Sequence, residues 1–236
     1  MSGWIERPSP NYDPRRDGCP IDILVLHYTG MRTAEDALER LCDPEAKVSA
    51  HYTIDRDGTV YRHVDESLRA RHAGVSCWAG ERDVNSRSIG IELVNPGHEF
   101  GYMPFPDAQI EALTGLAHGI LARHPISPER VVGHSDVAPA RKTDPGELFP
   151  WSRLAESGVG IFPKSHCDRT GSARGAGEEM FAKGLARFGY GVPPEVDIPL
   201  AAVVTAFQRH FRPEKIDGVC DAETEERLRA LLEILE

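Results

Sequence analysis

The sequence predicts an α/β domain followed by a small helical unit. Segments with the pattern of strands alternate with segments with the pattern of helices from about residue 20 to residue 155, an order typical of a sheet covered by helices. A polar, glycine-rich stretch follows, and the apolar residues beyond it recur at helical spacing. We therefore expect a first domain over residues 1–163, a linker over residues 164–178 and a helical domain over residues 179–236.

Composition and charge exclude several classes of protein. Of the 236 residues, 40% are hydrophobic and 27% are charged, a balance that supports a folded core and excludes a membrane-embedded or disordered chain. The 27 basic and 37 acidic side chains give a net charge of −10, and no basic stripe is present to follow a phosphate backbone. We expect no nucleic acid partner and no transmembrane segment, and the oligomeric state is left open.

The cysteines and the N-terminal residues bear on the compartment. The five cysteines are scattered and never form a C-x-x-C pair, which argues against a disulfide framework and against a thiolate zinc site; they are Cys19, Cys42, Cys77, Cys167 and Cys220. The first residues contain no apolar leader. We expect a cytoplasmic protein, with a periplasmic or envelope-associated location as the alternative if an export signal precedes the printed sequence.

The first elements are predicted from local patterns. An Ile-, Val- and Leu-rich strand is expected over residues 21–27, ending in His27. Thr33 is placed to cap a helix that extends to Leu41. Residues 51–54 and 59–64 are predicted to form a hairpin around an Asp-Gly turn.

The second half of the domain is predicted in the same way. A loop over residues 73–88 leads to a buried strand over residues 89–94. Asp107 is expected to cap a helix whose apolar residues recur at intervals of three and four: Ile110, Leu113, Leu116, Ala117, Ile120 and Leu121. A short strand then ends in His134, and the loop that follows it is predicted to be irregular because of its Pro and Gly residues.

The apolar residues beyond the linker predict helices. They are Leu185, Phe188, Leu200, Val203, Val204, Phe207, Phe211, Leu228, Leu231 and Leu232. A unit of about 55 residues buries only a small core. We therefore expect this unit to pack against the first domain.

Two histidines at strand ends and one aspartate indicate a metal site. His27 and His134 end strands that can lie side by side, and Asp144 lies in the loop after His134. Two imidazoles and one carboxylate, with a fourth position open to water, are the ligand set of a catalytic zinc site. The alternative for His27 is a core histidine that binds nothing.

A carboxylate and an ammonium group complete the candidate site. Attack on an amide needs a base and a cation that stabilises the oxyanion. Glu92 is the candidate base, because a carboxylate in an apolar strand is costly unless it is paired or faces a cleft. Lys142 is the candidate cation. The alternatives are an ion-pair partner for Glu92 and a solvated loop cation for Lys142.

Several segments also carry a family resemblance. They are His27-Tyr28-Thr29, Ser49-Ala50-His51-Tyr52, His72-Ala73-Gly74-Val75-Ser76, Asn85, Ser88-Ile89-Gly90-Ile91-Glu92-Leu93 and the run from Gly133 to Gly146. In this order the chain resembles the zinc-dependent N-acetylmuramoyl-L-alanine amidases of the AmpD/AmiD type (amidase type 2), which share the peptidoglycan recognition protein fold. The resemblance covers residues 18–163, and its H-S-D-x-A-P-x-R-K-x-D-P-G run is highly specific.

The resemblance implies a fold and a chemistry. It implies a central mixed β-sheet flanked by helices and Zn²⁺ held by His27, His134 and Asp144. It also implies Glu92 as the acid/base carboxylate and Lys142 as the oxyanion cation. The expected reaction is hydrolysis of the amide between N-acetylmuramic or anhydromuramic acid and L-alanine, in peptidoglycan or a muropeptide. The alternatives are a non-catalytic muropeptide-binding protein and a zinc peptidase acting within the stem peptide.

Further residues are candidates for substrate binding. Five of them fall in or beside the matched segments and are expected to line a groove: His51, His72, Trp78, Asn85 and Asn95. For Trp78 the alternative is an aromatic side chain that packs at the edge of the domain. The C-terminal unit resembles the three-helix peptidoglycan-binding domain of AmiD-type proteins over residues 203–213 and 216–224, and glycan binding by this unit is a hypothesis.

Overall fold

The computed structural model describes residues 3–163 and 177–236 of the chain. Residues 164–176 of the expected linker, which include His166 and Cys167, lie outside the described residues. Within the described part, none of the helices combines the length and the apolar character needed to cross a lipid bilayer.

Two sheets organise the first unit. The strands are β1 (Ile5–Glu6), β2 (Tyr12–Pro14), β3 (Ile23–Tyr28), β4 (Tyr52–Ile54), β5 (Val60–Arg62), β6 (Leu68–Ala70), β7 (Ser88–Leu93) and β8 (Val131–Gly133). The larger sheet has the order β1-β5-β4-β7-β3-β8. Only β4 and β5 run antiparallel in it, and its other neighbouring pairs are parallel. The predicted mixed sheet is therefore confirmed. β2 and β6 form a separate antiparallel pair.

Helices cover the larger sheet and form the C-terminal unit. They are α1 (Ala34–Cys42), α2 (Val84–Arg87), α3 (Gly97–Phe100), α4 (Asp107–Arg123), α5 (His134–Val137), α6 (Trp151–Glu156), α7 (Glu178–Phe188), α8 (Leu200–Phe211) and α9 (Ala222–Ile234), with a 3-10 turn at Pro128–Arg130. The predicted three-helix unit is confirmed as α7, α8 and α9. Helix α2 lies within residues 73–88, for which the sequence predicts a loop.

Local patterns predict several element boundaries correctly. Thr33 is the N-cap of α1, and its Oγ1 accepts a hydrogen bond from the Asp36 N–H at 3.1 Å. The predicted hairpin is β4 and β5, and the Asp55 N–H closes its turn by donating to the Thr59 carbonyl at 2.8 Å.

Two predicted boundaries need correction. Asp107 is the first residue of α4 rather than its cap, because the Pro106 carbonyl already accepts from the backbone N–H of Gln109. An acidic residue in a first turn still favours the helix through its dipole. His134 begins α5 rather than ending β8, because the Asp136 carboxylate accepts the Gly133 N–H at 2.7 Å and turns the chain there.

Both faces of the larger sheet are covered, which explains the continuous apolar run of β3. Leu24 and Leu26 pack in the cluster that contains the buried face of α4. Ile23 and Val25 point to the other face and pack in a cluster that also contains residues of α7, α8 and α9. Alternate side chains of a strand point to opposite faces, so each face of β3 meets its own layer of helices.

The C-terminal unit packs against the first unit, as expected. Trp78 is 1% exposed, its ring lies 4.9 Å from the Tyr190 ring, and the two residues form a backbone bridge. Gly189 follows α7 with a φ of +137°, and a Cβ at that position would lie 2.7 Å from the Trp78 ring. Glycine is therefore needed both for the backbone conformation and for the close approach.

Candidate metal centre and active-site cleft

The structure brings the three predicted metal ligands together. Nδ1 of His27 lies 2.9 Å from Nδ1 of His134 and 3.1 Å from Oδ2 of Asp144, and the last two atoms are 3.0 Å apart. All three side chains are buried. Because β3 lies between β7 and β8 in parallel register, His27 and His134 reach the same edge of the sheet. The Ser135 N–H donates to the Asp144 carbonyl at 2.9 Å, which brings the end of the loop back to its start.

This triangle of atoms fits a small divalent cation. Bonds of about 2.0–2.2 Å at tetrahedral angles place zinc ligands about 3.3 Å apart. The separations of 2.9–3.1 Å are close to that value. Two imidazoles and a carboxylate also leave one coordination position for water or substrate, as in catalytic rather than structural zinc sites.

The outer nitrogen of His134 fixes the tautomer of its ring. Nε2 of His134 lies 3.1 Å from the Ala73 carbonyl oxygen. A carbonyl only accepts, so Nε2 carries the hydrogen and the neutral ring presents a lone pair at Nδ1. Nδ1 is the atom that faces His27 and Asp144.

A chain of hydrogen bonds fixes the tautomer of His27 in the same way. The Ser88 hydroxyl donates to the Val84 carbonyl at 2.6 Å and accepts from Nε2 of His72 at 3.1 Å. Nδ1 of His72 is then bare and accepts from Nε2 of His27 at 3.0 Å. The lone pair of His27 is therefore at Nδ1, directed into the triangle. Such partners orient a metal-binding histidine and raise its basicity.

The charge states of the three side chains suit a cation. Burial lowers the pKa of His27 to about 4, and the neighbouring His134 ring acts in the same direction. Burial alone raises the pKa of the Asp144 carboxyl, but the two imidazoles lower it overall. At neutral pH His27 is thus neutral and Asp144 ionised. A buried carboxylate that faces two imidazole nitrogens at this distance is costly unless a cation joins the three side chains.

Gly90 makes room for the ring that orients His27. A Cβ at Gly90 would lie 2.5 Å from Cγ of His72. We expect Gly90→Ala to displace the His72 ring, to lower the affinity for metal and to destabilise the fold by about 1–3 kcal/mol through overpacking. Zinc titration and thermal unfolding measure the two effects.

Gly115→Ala is the matched control for that prediction. Gly115 is an exposed residue within α4, and nothing lies within 4 Å of the position of its Cβ. An alanine in the middle of a helix stabilises the fold by about 0.5–1 kcal/mol relative to a glycine. The control is expected to gain stability and to keep its zinc affinity. Unchanged zinc affinity in Gly90→Ala would contradict the role given to His72.

Glu92 stands beside the metal centre with an unused oxygen. Glu92 is paired with His27 in the parallel register of β7 and β3, so the two side chains point to the same face. Its Oε2 atom is buried and has no hydrogen-bond partner among the described residues. Burial raises the pKa of the Glu92 carboxyl well above its usual value; the negative charge of Asp144 adds to the rise and Lys142 opposes it. A partly exposed acid of this kind, at the edge of a cleft, is typical of a proton-transfer group.

The cleft has a volume of about 690 Å³ and opens beside these residues. Lys142 and Glu92 both line it, together with His134 and Asp144. Its other basic residues are Arg40, Arg71 and Arg141, and its other acid is Glu99. The lining thus has four basic and three acidic side chains, a slight excess of basic groups in a chain of net charge −10. Such an excess is compatible with an anionic ligand.

Of the five predicted substrate-binding residues, only His72 is among those that line the cleft. The other four lie outside that lining, and their side chains are buried and have partners inside the protein. His51 and Asn95 are 0% exposed, Trp78 is 1% exposed and Asn85 is 5% exposed. Trp78 follows the alternative and packs at the edge of the domain.

Asn85 and His72 orient the proposed metal ligands through hydrogen bonds. Oδ1 of Asn85 accepts the N–H groups of His72 and Ala73 at 3.1 and 2.8 Å. The Ala73 carbonyl in turn accepts from His134 and from the Arg141 guanidinium. Asn85 therefore holds the backbone of His72 and Ala73, the two residues that orient the imidazoles of His27 and His134.

Some residues of the site gave no signal in the sequence. Arg15 lies in a polar N-terminal segment, yet its guanidinium donates to four backbone carbonyls, including that of Ser88 at 2.9 Å, and contacts Nε2 of His51 at 3.0 Å. The role of the Ala73 carbonyl is equally invisible in the sequence, because every residue has a backbone carbonyl. A polar pattern alone does not show which loop arginine is drawn inward.

Known proteins resemble this chain in sequence and in structure. The family described as N-acetylmuramoyl-L-alanine amidase matches residues 17–147. The chain is 38% identical to N-acetylmuramoyl-L-alanine amidase AmiD of Escherichia coli (strain K12), over 98% of this chain and 91% of that protein. It is 35% identical to 1,6-anhydro-N-acetylmuramyl-L-alanine amidase AmpD of Citrobacter freundii, over 71% of this chain and 97% of that protein.

Solved structures of similar proteins contain muropeptides. The complex of E. coli AmiD with anhydro-N-acetylmuramic acid-L-Ala-D-gamma-Glu-L-Lys superposes with a TM-score of 0.82, over 94% of this chain and 93% of that chain. AMPDH3 of Pseudomonas aeruginosa in complex with anhydromuramic pentapeptide is 34% identical and has a TM-score of 0.81, over 96% of this chain and 98% of that chain.

Proposed function

Because the chain belongs to the N-acetylmuramoyl-L-alanine amidase family, we propose that it hydrolyses the amide bond between muramic acid and L-alanine. The observation that carries this proposal is the convergence of three ligand atoms within 4.8 Å of one another, beside a carboxylate with an unpartnered oxygen. The two similar structures with anhydromuramyl peptides support the same class of substrate for this cleft. The proposal covers muropeptides of N-acetylmuramic or anhydromuramic acid.

Zn²⁺ is the proposed cofactor, held by His27, His134 and Asp144. Imidazole and carboxylate ligands with an open position suit zinc. Bound there, the cation supplies Lewis-acid chemistry, lowering the pKa of a water molecule and polarising the amide carbonyl.

Glu92 is proposed to move the proton. It accepts a proton from the attacking water as the oxygen of that water bonds to the lactyl carbonyl carbon. It then gives the proton to the alanine nitrogen as the carbon–nitrogen bond breaks. The products are a sugar with a free lactyl carboxyl group and a peptide with a free amino terminus. A carboxyl group with a raised pKa both takes and releases a proton readily near neutral pH.

Lys142 is proposed to stabilise the negative charge that forms on the carbonyl oxygen. It lines the cleft, and its ammonium charge acts on the pKa values of both Glu92 and His27. The Lys142 N–H donates to the Ala138 carbonyl at 3.0 Å, which fixes the backbone from which the side chain extends. A cation positioned in a cleft stabilises a developing negative charge more strongly than a cation in water does.

Arg40, Arg71 and Arg141 extend the cleft beyond the reacting groups. We assign the exposed Arg40 to a carboxylate of the stem peptide, since guanidinium groups bind carboxylates in two-bond geometry. Arg71 already forms such a pair with Asp13, and Arg141 donates to the Ala73 and Val75 carbonyls. Residues 1–163 are the proposed catalytic domain and residues 179–236 the proposed peptidoglycan-binding-like domain. The cytoplasmic location stays a prediction, which cell fractionation checks.

Product analysis tests the proposed reaction. An anhydromuramyl tripeptide is incubated with the protein, with and without a chelator, and the products are identified by mass spectrometry. The expected products are the anhydromuramyl sugar and the intact tripeptide, formed only without the chelator. Cleavage between amino acids would indicate a peptidase, and binding without cleavage would indicate a recognition protein. Either result contradicts the proposal.

A further inference from the structure

We infer that the C-terminal unit, residues 177–236, is part of the scaffold of the metal centre, with Tyr190 and His210 as positioning residues for His134. The inference rests on the proposed ligand set and extends it to groups more than 50 residues further along the chain. It differs from the role of a tethered binding module, because it requires the unit to stay packed against the first unit.

The Asp136 carboxylate joins the two units. It is fully buried and accepts the Gly133 N–H at 2.7 Å, the Tyr190 hydroxyl at 2.6 Å and Nδ1 of His210 at 2.7 Å. A carboxylate only accepts here, so Nδ1 of His210 carries the hydrogen. Two of the three donors to this carboxylate therefore belong to the C-terminal unit.

Asp136 controls the backbone on both sides of His134. Gly133 precedes the ligand and Asp136 lies two residues beyond it, so the hydrogen bond between them closes a turn around His134. A Cβ at Gly133 would lie 2.7 Å from the Pro145 ring, which shows how closely this turn packs on the segment next to Asp144. Without Tyr190 and His210, the buried Asp136 carboxylate keeps a single donor, the Gly133 N–H. A buried acceptor that has lost its partners rearranges or admits water, and the turn moves with it.

The donor from His210 is held rigidly. Its ring stacks on Trp151 with a centroid separation of 3.6 Å and on Phe211 at 3.8 Å. The His210 side chain is 3% exposed. A ring fixed between two aromatic neighbours holds its donor in one place relative to Asp136.

A second series of contacts links helix α8, which contains His210, to the segment that contains Asp144. The Tyr28 hydroxyl lies 3.0 Å from Oγ1 of Thr143, the residue before Asp144, and 3.0 Å from Nδ1 of His98. Nε2 of His98 lies 3.1 Å from Glu147, whose carboxylate is 3.8 Å from Nε of Arg209. Arg209 and His210 are neighbours in α8. Helix α8 thus contacts the metal-binding loop near both of its ligands.

Metal affinity in the full-length chain tests the inference. Zn²⁺ affinity is measured by competition with a chromophoric chelator in Tyr190→Phe and in His210→Leu, and the visible spectrum of the Co²⁺-loaded protein reports the ligand geometry. Each variant is expected to lose about 10-fold in affinity, the lower end of the range for partners of metal ligands, with a changed Co²⁺ spectrum. His210→Asn is expected to retain the affinity, because its amide places a donor near the position of Nδ1.

Leu231→Ala is the control for a general loss of stability. Leu231 is fully buried within α9 and belongs to the same apolar cluster, but it is apolar and provides no donor to Asp136. The control is expected to unfold at a lower temperature and to keep the wild-type Zn²⁺ affinity and Co²⁺ spectrum. Unchanged affinity in both Tyr190→Phe and His210→Leu, an equal loss in Leu231→Ala, or no rescue by His210→Asn would overturn the inference. Zinc binding without cleavage of muropeptides would overturn the proposed function alone, because this test measures metal affinity.

Discussion

Replacing Glu92 by Gln is expected to lower turnover by about 10²- to 10⁴-fold, the usual contribution of a positioned acid/base group. The amide of Gln has nearly the size of the carboxyl group but neither takes a proton from water nor gives one to the leaving nitrogen. Glu92 is not among the three side chains whose ligand atoms converge. The variant is therefore expected to keep its metal and its fold.

Steady-state rates on an anhydromuramyl peptide, together with elemental analysis of the same samples, test this prediction. Glu99→Gln is the control, because Glu99 is an exposed acid that also lines the cleft. The control is expected to turn over within a few-fold of the wild type. A Glu92→Gln variant with wild-type turnover, or one that has lost its metal, would contradict the role given to Glu92.

The same variant predicts a pH effect on the stability of the metal-free protein. Burial raises the pKa of Glu92 in the folded state above its value of 4.5 in the unfolded state. The folded state then binds more protons than the unfolded state above that pH, so this group reduces the free energy of unfolding as pH rises. Glu92→Gln removes this decrease in the free energy of unfolding. Denaturant titrations are expected to show a growing advantage of the variant from pH 4.5 upwards and none well below it, and a constant difference would contradict the assignment.

Replacing Asp144 by Asn is expected to lower Zn²⁺ affinity by more than about 100-fold, beyond the loss caused by removing a partner of a ligand. Asp144 supplies the only negative charge among the three converging ligand atoms. Two neutral imidazoles and an amide oxygen bind a divalent cation far less well. Turnover is expected to fall to background at one equivalent of zinc.

Thermal unfolding with and without zinc measures this loss. A ligand that binds only the folded state stabilises it by about 2.7 kcal/mol at 100 times its dissociation constant. The wild type and Glu99→Gln are expected to show such a shift at a zinc concentration where Asp144→Asn shows none. An equal shift in all three proteins would show that zinc binds elsewhere.

The sequence predicts which side chains meet at the candidate site, because each lies at a position with strong local constraints. His27 ends an apolar run, and Glu92 interrupts one, so both stand out from the buried strands around them. His134 and Asp144 share one short loop that returns to the end of a neighbouring strand. Parallel strands end at a common edge, and patterns of this kind therefore predict which side chains meet.

The supporting hydrogen bonds are less visible in the sequence, because they join distant segments through backbone atoms or single side chains. His72, Asn85 and Trp78 attract attention as polar or aromatic loop residues, which suits a substrate groove equally well. Only the structure shows that His72 and Asn85 face the back of the metal ligands and that Trp78 packs under the C-terminal unit. Burial, rather than residue type, separates the two roles.

The contact between Asp136 and Tyr190 illustrates the same limit. The two residues lie 54 positions apart, on either side of the expected linker. Helical spacing predicts α8, but it does not predict that a histidine near the end of that helix faces a carboxylate of the first unit. The docking of the C-terminal unit follows from its small core, whereas the polar contacts that fix its position do not.

Anomalous X-ray diffraction at the zinc edge, on crystals of the zinc-loaded protein, tests the central claim most directly. We expect one strong peak about 2.0–2.2 Å from three atoms: Nδ1 of His27, Nδ1 of His134 and a carboxylate oxygen of Asp144. A peak at any other group of side chains, or coordination of either histidine through Nε2, would contradict it.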